Sequence, residues 1–200
     1  MHGLDDVRSL TGDAPIPVYG NEITIREMKE RFSYIWKETQ RGGGKPKLTP
    51  VVIDGPVQTG SLTFTPVPVK HGILDILGWE VRDSQLSGKS FLYLTDTSAI
   101  PAPVRARLLD SQHSRLIIIG GLRARPHETH FTFEEAINAA LDLGADRIFI
   151  THICHSHSHA EIEEICRNFR RTYYENQPAS FRGREEIEIH PAQDGLEIVL

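Results

Sequence analysis

The sequence predicts an α/β fold, and three observations carry that expectation. RLIIIGG (115–121) is a continuous apolar run, the pattern of a strand buried on both faces. TFEEAINAALDLGA (132–145) follows as an amphipathic helix, opened by a Thr132–Glu135 capping box and closed at Gly144. DRIFITH (146–152) then reads as a second buried strand, ahead of the amphipathic helix HAEIEEICRNFRRTY (159–173). A strand-rich stretch followed by β-α-β-α is the order of one domain spanning 1–200, with helices packed on a sheet.

From the N-terminus, Leu4, Val7 and Leu10 share one side of a short predicted helix over 4–10. IPVYG (16–20) reads as a strand ended by glycine. Asn21 is placed to cap a helix whose stripe is Ile23, Ile25, Met28, Phe32 and Ile35. RGGGKPK (41–47) is a loop; it lacks the GxxxxGK[ST] pattern of a phosphate-cradling turn, so a surface insertion is the simpler reading. SLTFTPVPVKHG (61–72) alternates polar and apolar residues, with prolines that suit an edge or a bulge. LDILGWEV (74–81) and KSFLYL (89–94) read as further strands, and EIEIH (186–190) and GLEIVL (195–200) as two short C-terminal ones.

Composition removes several function classes. With 39% hydrophobic and 24% charged residues the chain is globular rather than disordered. A net charge of −5 argues against a general nucleic-acid binder, which needs a basic surface. No apolar run approaches the ~18–20 residues that span a bilayer, and MHGLDDVRSL has no signal-peptide core, so no membrane role is expected. Cys154 and Cys166 are too few for a disulfide framework, which fits a reducing, cytoplasmic setting. The unusual feature is ten histidines, five of which (His130, His152, His155, His157 and His159) fall in one 30-residue stretch. Histidine is the commonest metal ligand and titrates near neutrality.

Three polar residues stand just past apolar strand segments: His71 after TPVPVK, Asp96 after FLYLT and His152 after RIFIT. A strand fixes the backbone there while the loop beyond it exposes the side chain. Two imidazoles and a carboxylate suit Zn²⁺, Mn²⁺ or Fe²⁺. Taken singly, each has a plainer reading: an Asp after a strand serves as a turn or cap residue, and a His there bonds a carbonyl. His130 stands just before the capping box, where it is either a general acid or phosphate donor or an ordinary helix-terminus contact. HSHSH (155–159) reads as exposed, with His159 near the next helix's N-cap, rather than as a specific metal site.

HGLDDVRSL, PIPVYGNE, TPVPVKHG, YLTDTS, RPHETHFTFEEA, ITHICH and DGLEI occur in one order over nearly the whole chain. Together they resemble the metallo-β-lactamase-fold hydrolases, in the branch containing the phosphoribosyl cyclic phosphodiesterase of phosphonate breakdown. The resemblance implies an αββα sandwich, incomplete here because the N-terminal strands are missing, and a centre of two divalent metals (Zn or Mn). It implies that His71 completes the first metal site, that Asp96 bridges both and that His152 completes the second. His130 matches the proton donor near the leaving group, and His155 and Asp194 match supporting positions. The implied substrate is a small-molecule phosphoester, a phosphodiester or cyclic phosphate.

The family's HxHxDH motif, which supplies four ligands, is absent, and HGLDDVR is what normally follows it. The chain therefore reads as N-terminally truncated, with His2 structural rather than a replacement ligand, and is expected to be nearly inactive alone. Lost sheet partners would expose an edge that a homodimer could cover. Gly120 and Gly121 stand where relatives carry an acid and a small residue, which puts the local geometry in question. Two other readings stand beside the hydrolase: a non-catalytic remnant or interaction module, and a mononuclear site of His71, Asp96 and His152.

Overall fold

The computed structural model describes residues 2–10, 12, 14–38, 44–86, 89–110, 116–175 and 187–199. The side chain of His2 and residues 41–43 of the glycine-rich loop lie outside the described part, and so do the readings placed on them. Contacts divide the chain into two units, Met1–Pro56 and Val57–Leu200.

In the first unit, strand β1 (Ile16–Gly20) runs parallel to β2 (Leu48–Val52), Ile16 opposite Leu48, and helix α1 (Glu22–Arg31) connects them. Asn21 caps α1 as expected, its Oδ1 accepting from the Thr24 amide at 2.8 Å. Ile25, Met28 and Ile35 of the expected stripe are buried, whereas Ile23 is exposed. The expected helix over 4–10 forms instead as two 3-10 turns, His2–Leu4 and Asp6–Ser9.

The second unit is built on a seven-stranded sheet with strands in sequence order: β3 (Val57–Thr59), β4 (Leu62–His71), β5 (Leu74–Asp83), β6 (Ser90–Leu94), β7 (Leu116–Gly120), β8 (Arg147–Thr151) and β9 (Glu188–Pro191). Pairs from β3 to β6 are antiparallel, and pairs from β6 to β9 are parallel. Helices α2 (Ala102–Asp110), α3 (Phe133–Asp142) and α4 (His159–Glu175) occupy the crossovers and the C-terminal stretch. The predicted α/β class is thus realised, and RLIIIGG and DRIFITH supply its central parallel strands. Val67, Val69, Leu94, Ile117, Ile119, Ile148, Ile150 and Ile189 from the sheet share one core with Phe133, Ile137, Ile162 and Cys166 from the helices.

One further expectation fails, and one element arises without any. GLEIVL forms no strand over its described residues 195–199; its Val199 carbonyl instead accepts from the Arg147 guanidinium at 2.8 Å. Helix α2 carries no sequence expectation, because PAPVRARLLD opens with prolines; proline is tolerated in a first turn, where its missing N–H would have no partner anyway. Among the described residues no helix is long and apolar enough to cross a membrane.

The Thr132–Glu135 capping box forms in both directions: the Thr132 amide donates to Glu135 Oε2 at 2.8 Å and the Glu135 amide to Thr132 Oγ1 at 3.2 Å. Thr132 is buried, so water cannot replace it. Thr132→Ala is expected to lower stability by about 1–2 kcal/mol in urea unfolding, with an unchanged slope. A loss under about 0.3 kcal/mol would remove the cap from the account.

Candidate metal centre

Strand direction alone brings the candidate residues to one edge. β6, β7 and β8 are parallel, so Asp96, Gly121 and His152 all follow strand ends on that edge. β4 is antiparallel to β5, and β5 to β6; two reversals restore the direction, and the end of β4, His71, arrives at the same edge. The loop after β7 returns across it carrying His127 and His130.

Backbone bonds lace these loops together. Lys70 and Ala99 form an isolated bridge, Ser98 donates its amide to the Lys70 carbonyl (2.7 Å), and Phe131 donates to Thr97 (2.8 Å). Leu122 donates to Phe131 (2.9 Å), Gly121 to Thr151 (3.0 Å) and Cys154 to Leu122 (2.9 Å). The stretch 123–130 is therefore a closed loop pinned at both ends.

The side chains converge. Ligand atoms of His71, Asp96 and His130 all lie within 4.8 Å of one another. His152 Nε2 is 3.2 Å from Asp96 Oδ1. The His130 ring stacks on His152 (centroids 4.9 Å, 29° between planes) and meets His71 edge-on at 4.6 Å. His71 Nδ1 lies 2.8 Å from the Thr129 carbonyl. A cavity of about 470 Å³ beside the cluster is lined by residues that include Ser98, His127, Thr129 and His130.

Asp96 (φ 53°) and His152 (φ 57°) are the non-glycine positive-φ residues among the described part. The left-handed region costs most L-residues roughly 1–2 kcal/mol, Asp somewhat less. Two such residues past the ends of β6 and β8, on either side of β7 and with side-chain atoms 3.2 Å apart, are the kind of strain that concentrates at functional sites. Gly120 makes this approach possible: a Cβ there would meet the Asp96 amide nitrogen at 3.3 Å and His152 Cβ at 3.6 Å. A Cβ on Gly121 would meet Ile150 Cγ2 at 2.8 Å. Packing around the cluster therefore excludes a side chain at Gly121 and makes one at Gly120 a tight fit.

All four singled-out residues, His71, Asp96, His130 and His152, meet in one place, while His155 and Asp194 are exposed. His159 is the first residue of α4, and Ser158 does the capping: the Glu161 amide donates to Ser158 Oγ at 3.3 Å and the Ser158 amide to Glu161 Oε2 at 2.7 Å. Sequence reasoning passed over His127, whose ring lies 5.1 Å from that of His130; the HxxH spacing within RPHETH was the available signal. Of the cysteines, Cys166 is buried and its thiol pushed up to about 12, so it is inert, whereas Cys154 bonds the Ser156 hydroxyl, which lowers its pKa.

Burial, reinforced by the imidazoles of His71 and His152, pushes the pKa of His130 down; Asp96 opposes this only in part. The unfolded chain therefore binds this proton more readily than the folded one. The contribution to stability is complete above the ordinary imidazole value of ~6.5 and is lost as pH falls through the depressed folded value. For metal-free protein the urea midpoint is expected to drop on acidification below ~6.5, and His130→Asn should flatten that dependence. Identical pH profiles for the two proteins would show that His130 is not perturbed.

A family model described as "Beta-lactamase superfamily domain" matches residues 1–153. The chain is similar to the solved structure of a new diphosphatase from the PhnP family, at 30% identity and TM-score 0.71, over 100% of this chain and 66% of that one. It shares a fold with the metallo-β-lactamase fold protein YhfI from Bacillus subtilis, at 17% identity and TM-score 0.62, over 94% of this chain and 66% of that one. A protein named octanoyltransferase from Porphyromonas gingivalis (strain ATCC BAA-308 / W83) is 28% identical over 200 residues, covering 99% of this chain but 35% of that protein. The chain thus spans just under two thirds of these solved relatives and about a third of the curated one.

Proposed function

The chain belongs to the β-lactamase superfamily, and on that premise we propose that its strand-end cluster is the metal site of a hydrolase for phosphodiester bonds, cyclic phosphates included. The observation that carries this is the convergence of Asp96 and His152, both held in left-handed backbone, on His71 and His130.

The donor set fits a divalent ion. A carboxylate and neutral imidazoles suit Zn²⁺ or Mn²⁺, and three protein ligands are the usual number in a catalytic zinc site. In this reading His71, Asp96 and His152 hold the ion, and a second ion would need donors beyond these. When bound, the ion polarises a phosphoryl oxygen as a Lewis acid. The chain's own residues do the rest. His71 is steadied by the Thr129 carbonyl. His130, stacked on His152, carries a proton for the leaving oxygen, and its lowered pKa makes it a ready donor once protonated. The cavity lined by Ser98, His127 and Thr129 receives the substrate.

A second reading of His130 has its own observation: among the described residues His71, Asp96 and His130 are grouped with their ligand atoms all within 4.8 Å of one another, whereas His152 is close to Asp96, so His130 is the better grouped third ligand. Metal titration of His130→Ala and His152→Ala separates the two, since the variant that loses affinity marks the ligand. The name octanoyltransferase gives no support to acyl transfer here, because the greater part of that protein has no counterpart in this chain.

The test of function is release of p-nitrophenol from bis(p-nitrophenyl) phosphate with Mn²⁺ or Zn²⁺, against the same protein in EDTA. A slow but metal-dependent release is expected, since the sequence contains no HxHxDH motif. Metal binding without any release would favour the non-catalytic module instead.

A further inference from the structure

Thr129 touches two histidines with opposite backbone groups. Its carbonyl oxygen lies 2.8 Å from His71 Nδ1. Its amide lies 3.3 Å from His127 Nδ1, and its hydroxyl is 3.2 Å from the same nitrogen. A carbonyl can only accept and an amide N–H can only donate. His71 Nδ1 must therefore carry a proton, and His127 Nδ1 must be bare. In the neutral imidazole one nitrogen bears the hydrogen, so the remaining nitrogens are opposite in kind: His71 Nε2 is a lone pair and His127 Nε2 is an N–H.

We propose that Thr129 fixes these two tautomers, so that His71 offers a ligand atom to a metal while His127 offers a hydrogen-bond donor to a phosphoryl oxygen of the substrate. The placement of His127 supports this. It lines the 470 Å³ cavity together with Ser98, Thr129, His130 and the acidic Glu128 and Glu135, the carboxylate of the latter engaged by the Thr132 amide, and its ring lies 5.1 Å from that of His130. Among the described residues its Nε2 has no partner, while its Nδ1 is tied. Imidazole in this tautomer is a poor ligand through Nε2 and a good donor to an anionic oxygen. Gly72 keeps Thr129 within reach: a Cβ on Gly72, which sits at φ +61°, would lie 2.9 Å from Thr129 Cγ2. His127 is thus a substrate-binding residue, and Thr129 a positioning residue acting through two rings.

The ligand's identity rests on the phosphodiester reading above; the tautomers do not. Two-bond ¹H–¹⁵N correlation spectra of the metal-free, labelled chain at about pH 8.5, above the ordinary imidazole pKa of ~6.5, report each tautomer directly. The expected result is His71 as the Nδ1–H form and His127 as the Nε2–H form, with His127→Gln and His71→Gln used to assign the signals. Thr129→Val keeps both backbone groups and should leave both tautomers in place. Finding His127 as the Nδ1–H form overturns the assignment.

Binding of dimethyl phosphate to the Zn²⁺-loaded chain supplies the second arm. His127→Phe should weaken it about 10-fold, the scale of a lost hydrogen bond to a charged group. His127→Gln, whose amide nitrogen reaches close to the Nε2 position, should stay near wild type. Equal affinity in wild type and His127→Phe overturns the donor role. If wild type itself fails to bind, the phosphodiester reading falls, and the tautomer assignment is decided by the spectra alone.

Discussion

Asp96→Ala is expected to remove specific divalent-metal binding and, with it, all metal-dependent hydrolysis. Asp96 is the one carboxylate in the tight cluster, within 4.8 Å of the ligand atoms of His71 and His130 and with its Oδ1 3.2 Å from His152 Nε2. Without it the site keeps only neutral donors and loses its negative charge. Losing an outer-shell partner of a metal ligand already costs roughly 10–100-fold in affinity, so losing the ligand should exceed that. A second effect travels with this substitution. Asp96 sits at φ 53°, where alanine is disfavoured by about 1 kcal/mol or more, so the metal-free protein should also become less stable. Asp96→Asn separates the two effects, because asparagine tolerates the left-handed region and should keep the stability while losing the metal. Calorimetric metal titration beside urea unfolding reads both. Wild-type affinity in both variants would exclude Asp96 from the site.

Phe133→Ala carries the largest expected loss of stability, about 3–5 kcal/mol, against a typical total of ~5–15 kcal/mol. Phe133 is 1% exposed. It is the first residue of α3, directly behind the Thr132 cap, and it touches what lies under the cluster. A Cβ on Gly121 would come within 3.3 Å of its ring, and His157 meets that ring edge-on at 5.5 Å. A cavity here would undermine the closed loop 123–130, whose Arg123 carbonyl accepts from the Phe133 amide at 3.2 Å. Denaturant unfolding of the metal-free chain measures the loss. A cost below about 1 kcal/mol would mean that the surroundings collapse into the space and that Phe133 does not hold the loop.

Much of the fold was legible because its signals are local. Ile117, Ile119, Ile148 and Ile150 stand two apart within two apolar runs and all reach the one core, while Ile118 on the opposite face of its strand is only half-buried. Thr132 and Glu135 mark the start of α3 by a pair of bonds spanning three residues. GLEIVL looked equally strand-like, yet a strand needs a partner edge as well as an apolar pattern. Helix α2 was hidden by prolines that prove harmless at its start.

The site divides in the same way. His71, Asp96 and His152 could be named from sequence, since each follows an apolar strand and exposure just beyond a strand end is a local property. What the sequence could not state is that β4 ends on the same edge as β6 and β8, because that follows from two antiparallel turns and from the register of Val69 with Ile76 and Trp79 with Tyr93. The left-handed backbone at Asp96 and His152, the room that Gly120 leaves between them, and the two histidines held by the amide and the carbonyl of Thr129 exist only once distant strands are paired. Residue types and strand ends were written locally. Their meeting was decided by tertiary structure, because hydrogen-bond register between strands far apart in the chain sets which side chains come within bonding distance.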